Sequence, residues 1–321
     1  MLSLWSLRKR TSTQLMVFDH EAIHASASKL TFLYGIGMQS RFNGWSMQVL
    51  EVDDTAAVGR HIDQFGFAIV SGEWRFDASD FDRMAALYGL GPMYQSDFNR
   101  LEHAEGIASS GINQVGGLSS GSHVVFNGAT DVPLHTDGSY LPIGTIKTSI
   151  LFCRESAALG GESILFDSVS AFRALSEDHP DLARSLLADN AFRRRSTSTR
   201  SGRQYQHIGP MFLRREDGDI VGGFTLDITA DWEYSRRMDA RVIDAAAYLI
   251  RLASENSDYT LKFGLHKGQV LIIRNDQLSH GRCSYVDDPA RPRILFRGLF
   301  LSSPCDSGAP TDLVCTRGSQ S

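Results

Sequence analysis

The chain carries no disulfide framework and no zinc-finger pattern. Its four cysteines, Cys153, Cys283, Cys305 and Cys315, are scattered and form no Cys-x-x-Cys pair. No apolar run approaches the roughly 18 residues needed to span a bilayer, so no membrane role is expected. An excess of basic charge is missing too: 32 Lys and Arg face 37 Asp and Glu, a formal net charge of −5. Nucleic-acid binding normally shows as a basic face. The short runs Arg8-Lys9-Arg10 and Arg193-Arg194-Arg195 read instead as solvated surface. The first residues are basic and hydroxyl-rich, slightly like an organelle transit peptide, but show no apolar segment followed by a small-residue cleavage site. Internal repeats and βαβ alternation are likewise absent. The expectation is a protein of the reducing cytoplasm with a small-molecule partner, a homo-oligomer being left open.

What is present is an ordinary globular composition, 42% hydrophobic and 21% charged over 321 residues, long enough for a sizeable core. Residues 1–45 show little periodicity and read as an extension or cap; residues 46–302 read as the main domain and 303–321 as a tail. Asp53 to Phe65 has helical spacing and leads into the apolar strand Gly66–Val70. Asp77-Ala-Ser-Asp80 supplies N-cap chemistry for a helix to about Tyr88, where Gly89-Leu-Gly-Pro92 stops it. Gly106 to Gly128 is rich in Gly and Ser, with Asn113, Gln114 and Asn127 as polar handles. It reads as a substrate lid or as a plain connection.

Further on, Thr145–Cys153 and Gly160–Asp167 read as strands. Ser168–Asp189 reads as a helix broken near Pro180, and Arg193–Thr229 as strands with a hairpin at Asp217-Gly218. A strong helix is expected over Tyr234–Ser254. Closing strands are expected at Tyr259–Phe263, Gly268–Ile273 and Pro292–Phe300. Many short strands with few helices favour a mainly β architecture, an antiparallel sandwich or barrel with helices outside.

Four His-x-Asp/Glu pairs occur. His61-Ile-Asp63 lies in a helical run, where positions two apart do not face each other. His179-Pro-Asp181 sits at a helix start, and His103-Ala-Glu105 has no periodic context. Only His135-Thr-Asp137 follows a β-like segment, where alternation would put both side chains on one face, and Gly138 then allows an open turn. The bland reading is a satisfied loop histidine. The chemical one is half of a metal site, completed by His280 in Asn275-Asp-Gln-Leu-Ser-His-Gly-Arg282. Two imidazoles and one carboxylate with open positions are the facial triad of non-haem Fe(II) oxygenases.

In the last strand Arg293, Leu295 and Arg297 share one face. Two arginines there are costly unless the face is in solvent or anions meet them. The turn at Asp287-Asp-Pro289 would bring this strand beside the one that ends at His280, so that a guanidinium could hold a carboxylate near the metal.

Taken together, His135-Thr-Asp137, Gly160-Gly-Glu-Ser163, Gly268-Gln-Val-Leu-Ile-Ile-Arg-Asn275, Ser279-His-Gly-Arg282 and Arg293-x-x-x-Arg297 resemble the TauD/TfdA, clavaminate-synthase-like branch of the Fe(II)/2-oxoglutarate oxygenases, in order and spacing over about residues 60–302. The resemblance implies a double-stranded β-helix (jelly roll). It implies Fe(II) on His135, Asp137 and His280, and 2-oxoglutarate on Arg293 with help from Ser163, which stands where the family often has Thr. Arg297, with Asn113 and Gln114 from the Gly-rich segment, is the candidate contact to an anionic or amino-acid-like substrate.

The implied reaction consumes O2 and 2-oxoglutarate, releases succinate and CO2 and hydroxylates an unactivated C–H bond. Desaturation, epimerisation or cyclisation would use the same ligands. Halogenation would not, because Asp137 fills the place that related halogenases leave to chloride. A non-catalytic metal-binding jelly roll is the reading from another class, against which the retained Arg293 and Ser163 stand.

Overall fold

Asp54 and Asp77 cap the first two helices as their chemistry requires, and the chain then commits to strands. The computed structural model describes residues 40–95, 111–117, 128–196, 204–254 and 257–304. In chain order these form β1 (Leu50–Glu51), α1 (Thr55–Phe65), β2 (Phe67–Ser71), α2 (Ala78–Tyr88), β3 (Asn113–Gly116), β4 (Val132–His135), β5 (Thr148–Glu155), β6 (Leu159–Gly160) and β7 (Ser163–Phe166). There follow α3 (Ser168–Asp178), α4 (Pro180–Leu186), β8 (Phe192–Arg195), β9 (Gln206–Gly209), β10 (Phe212–Arg214), β11 (Ile220–Gly222), α5 (Trp232–Met238) and α6 (Arg241–Leu252). The last elements are β12 (Thr260–Phe263), β13 (Gln269–Arg274), β14 (Ser279–Arg282), β15 (Tyr285–Val286) and β16 (Ile294–Phe300).

Two sheets dominate. One has six strands in the order β1-β2-β13-β5-β16-β3, the other four in the order β12-β7-β14-β4. Between them lies a cluster in which Leu165 and Phe263 of the small sheet meet Ile69, Leu271, Ile273 and Leu295 of the large one. Phe42 and Trp45 also join this cluster, and Asp167 accepts from the Arg41 amide at 2.9 Å. The packed domain therefore reaches back at least to residue 40, inside the segment read as an extension. A second cluster buries α1 and α2 on the outer face of the large sheet, through Val58, Ile62, Phe81 and Met84 against Ile150, Phe152 and Phe296. A third packs α3, α4 and α6 beside the small sheet.

The helix expected over Tyr234–Ser254 is two helices. Asp239 takes an extended conformation between them and accepts from the Arg241 amide at 3.0 Å, a local bond that competes with continuing the helix. The Gly-rich run from Gly106 contains a true edge strand, β3, paired antiparallel to β16; residues 106–110 and 118–127 of that run lie outside the described residues, as does His103-Ala-Glu105. Among the described residues no helix is long and apolar enough to cross a membrane.

Candidate active site

β14 is hydrogen-bonded to β4 in the register His280 to His135, which sets the two imidazoles side by side, ring centres 4.4 Å apart. A Cβ at Gly281 would lie 2.7 Å from the Val132 carbonyl oxygen and 3.3 Å from the Leu134 amide, so only glycine lets the two strands approach here. Asp137 is placed differently from expectation. β4 ends at His135, and strand alternation does not carry as far as the carboxylate. It is set instead by the buried Asn275, whose Oδ1 accepts from the Asp137 amide at 2.8 Å and whose Nδ2 donates to the Ile146 carbonyl at 2.8 Å. Ser149 donates to Asp137 Oδ2 at 2.6 Å, and Arg297 Nη1 contacts Oδ1. Between the ligands, Thr136 accepts from the buried Arg194 at 3.0 Å.

One ligand atom from each of His135, Asp137 and His280 lies within 4.8 Å of the others. Burial would raise the pKa of Asp137, but Arg297, His280 and His135, with the Ser149 hydrogen bond, outweigh it and hold the carboxyl at about 2. Burial, reinforced by His135, pushes His280 down to about 3. With His280 neutral, its 3.6 Å approach to Asp137 is not an ion pair. His135 Nδ1 sits 3.0 Å from the Pro133 carbonyl, which fixes that nitrogen as the donor and leaves Nε2 for a metal. A carboxylate beside two imidazoles at this spacing suits a divalent first-row cation.

The cavity beside the triad is lined by Ser163, Arg282, Arg293 and Arg297, with Leu151 and Leu295 among its apolar walls. Arg293 is 5% exposed; burial, and Arg282 beside it, lower its pKa to about 10. Its Nη1 has no hydrogen-bond partner among the described residues, an orphaned donor of the kind a carboxylate satisfies.

The shared face of Arg293, Leu295 and Arg297 is as alternation requires, but the neighbourhood is not. β16 lies in the large sheet between β5 and β3, whereas β14 lies in the small one. Arg297 therefore reaches Asp137 across the gap between sheets and not along a strand edge, because the turn at Asp287–Pro289 carries the chain from one sheet to the other.

Asn113 stands opposite Arg297 on β3 and donates to the Gly111 carbonyl at 3.4 Å. Gln114 stands opposite Phe296, whose ring is in the outer cluster, so its side chain is on the face turned away from the cavity. Its Nε2 donates to the Gly116 carbonyl at 3.1 Å, and its placement does not favour a substrate contact. The remaining His-x-Asp pairs are structural, as their contexts suggest: His61 is buried 2.7 Å from the Phe67 carbonyl, and His179 precedes α4 with Pro180 at its first turn. Asn275, Ser149, Arg194 and Arg282 were not singled out as site residues in the sequence. Only Arg282 carried a local signal, being two residues from His280 on one strand.

A profile described as "Taurine catabolism dioxygenase TauD, TfdA family" matches residues 26–299. A uridine-5'-phosphate dioxygenase from an Amycolatopsis species is 40% identical over 170 residues, 53% of this chain and 61% of that protein; the matched part thus spans less than two thirds of that relative. A protein of the same description from a Streptomyces species is 31% identical over 266 residues, covering 81% of this chain and 93% of that one. The crystal structure of a taurine dioxygenase from Burkholderia xenovorans superposes with a TM-score of 0.52 at 13% identity, covering 80% of this chain and 87% of that one. At such identity the likeness concerns the fold.

Proposed function

The chain belongs to the taurine catabolism dioxygenase (TauD/TfdA) family, and we propose that its substrate is a pyrimidine nucleoside 5'-phosphate, with uridine 5'-phosphate the first to test. Fe(II) and 2-oxoglutarate are the cofactors that go with the family, and the triad and the orphaned Arg293 donor fit them. When bound, they would activate O2, the oxidant, with 2-oxoglutarate giving up two electrons and leaving as succinate and CO2. The two facing sheets are read as the double-stranded β-helix.

In this reading His135, Asp137 and His280 hold the metal, and Arg293 with Ser163 holds the far carboxylate of 2-oxoglutarate. Leu151 and Leu295 keep water from the wall between them. Arg297 orients the substrate through its phosphate. The observation that carries the substrate proposal is Arg297 itself, a guanidinium with 12% side-chain exposure in contact with the metal-ligand carboxylate. A metal on Asp137 would draw on the charge that now faces Arg297, so the cation beside it suits a substrate that brings its own anion. The relatives named for uridine 5'-phosphate supply the chemical class.

The test is substrate-coupled succinate release. Uridine 5'-phosphate should stimulate it, uridine should not, and Arg297→Leu should impair coupled turnover more than 2-oxoglutarate binding. Equal stimulation by uridine, or none by any nucleotide, would reject the proposal.

A further inference from the structure

Arg282 has no role in the scheme above, yet its placement is specific. On β14 it shares a face with His280, two residues away, and in the pairing with β7 it stands directly opposite Ser163. It lines the same cavity as Arg293 and is 6% exposed. One nitrogen, Nη2, donates to the carbonyls of Gly128 at 2.7 Å and Thr130 at 2.6 Å, on the segment that enters β4. The other two, Nε and Nη1, are buried with no hydrogen-bond partner among the described residues. The guanidiniums of Arg282 and Arg293 lie 4.6 and 5.2 Å from the centre of one ring, that of Tyr285.

The nearby carboxylates are committed elsewhere: Asp131 accepts from the Ser284 amide and Asp287 from the Arg293 amide at 2.9 Å. Two buried guanidiniums around one cavity, three of their nitrogens lacking partners among the described residues, carry a desolvation cost that an entering anion would offset.

We propose that Arg282 is the second cation of the oxo-acid site, so that the far carboxylate of 2-oxoglutarate is shared between Arg293 and Arg282. The proposal rests on the reading of Arg293 and Ser163 as the anchor. Strand geometry supplies the length: two residues along β14 separate His280 from Arg282, about 6–7 Å, a span suited to a five-carbon dicarboxylate reaching from the metal ligands to the cation pair. An oxo acid of the same chain length without the far carboxylate would reach the triad and leave both arginines unmet. Arginine suits the task better than lysine because it can keep one nitrogen on the Gly128 and Thr130 carbonyls while presenting two to the ligand. Arg282 thereby selects dicarboxylic over monocarboxylic oxo acids.

The test is calorimetric binding to the protein loaded with Mn(II), which is not turned over, using 2-oxoglutarate and 2-oxovalerate as probes. The quantity read is the ratio of their Kd values. In Arg282→Gln, 2-oxoglutarate should bind about 10- to 100-fold more weakly, the loss of one charge-assisted contact, with 2-oxovalerate nearly unchanged, so the ratio collapses. Arg282→Lys, which keeps the charge and serves if the Gln variant does not fold, should fall between wild type and that result. A folded variant that weakens both oxo acids equally, leaving the ratio at its wild-type value, would show Arg282 acting only through the Gly128–Thr130 segment and overturn the proposal. Arg293→Gln in parallel separates the two readings. If it too leaves the ratio unchanged, the cavity is not the oxo-acid site at all. If it collapses the ratio while Arg282→Gln does not, the second cation alone is refuted.

Discussion

Replacing Asn275 with Ala tests whether the metal-ligand geometry depends on a residue that touches no metal. Asn275 is 2% exposed and bonds the backbone around Asp137 in both directions, accepting from its amide at 2.8 Å and donating to the carbonyls of Ile146 at 2.8 Å and Asp137 at 3.3 Å. Truncation leaves the Asp137 amide and the Ile146 carbonyl buried without these partners. Each such group costs about 1–3 kcal/mol, so a loss of about 2–5 kcal/mol in unfolding free energy is expected. The carboxylate is then oriented only by Ser149 and Arg297, and loss of such outer support typically costs about 10- to 100-fold in metal affinity. Urea unfolding of the metal-free protein and Mn(II) titration measure the two quantities separately. Wild-type affinity in a variant destabilised as predicted would mean that Asp137 does not need Asn275 for its aim. Wild-type stability would refute the hydrogen-bond reasoning itself.

Three further outcomes are expected. Gly281→Ala must move β4, since the new Cβ meets backbone at 2.7 Å and backbone yields less readily than a side-chain end; stability should fall by about 1–3 kcal/mol, and Mn(II) titration should show weakened binding because β4 carries His135. Arg293→Lys keeps the charge but loses the planar fork, so the apparent KM for 2-oxoglutarate should rise about tenfold or more; an unchanged KM would place the anchor elsewhere. In the metal-free protein His280 titrates at about 3 against about 6.5 when unfolded. The unfolded chain therefore binds a proton that the folded one refuses, and stability falls on acidification below about pH 6.5, approaching 1.4 kcal/mol per pH unit from this group. Urea midpoints between about pH 6.5 and 4.5 should fall less steeply for His280→Gln, and parallel slopes would contradict the assignment.

Local chemistry made the helices and most strands legible. Asp77 with Asp80 forms the capping box of α2, Pro180 opens α4, and Gly218 turns the β10–β11 hairpin with φ of 87°. The elements that escaped notice owe their form to partners distant in sequence. β14 is only Ser-His-Gly-Arg, with no apolar residue to betray it, and is a strand because β7 and β4 flank it. β3 hides in a Gly-rich run and is a strand because β16 offers it an edge. The single helix expected over Tyr234–Ser254 fails for the opposite reason: its apolar spacing continues, but the side chain of Asp239 takes the Arg241 amide.

The same division runs through the site. Alternation is a property of one strand, so the common face of Arg293, Leu295 and Arg297 could be read from spacing. Which sheet that face looks onto could not. The structure sets His135 and His280 on the small sheet and the arginine strand on the large one, and Arg297 closes the gap by contacting Asp137. In the proposed reading, the separation of the metal site from Arg293 is thus set by how far apart the two sheets pack. That distance is set by Leu165 on one side and Leu271, Ile273 and Leu295 on the other, all in one cluster and all lining the cavity. Interiors packed to crystal-like density do not let such a spacing drift. In that reading Leu295 has two tasks between its arginines: it would exclude water from the cavity wall and help set the width across which a dicarboxylate reaches.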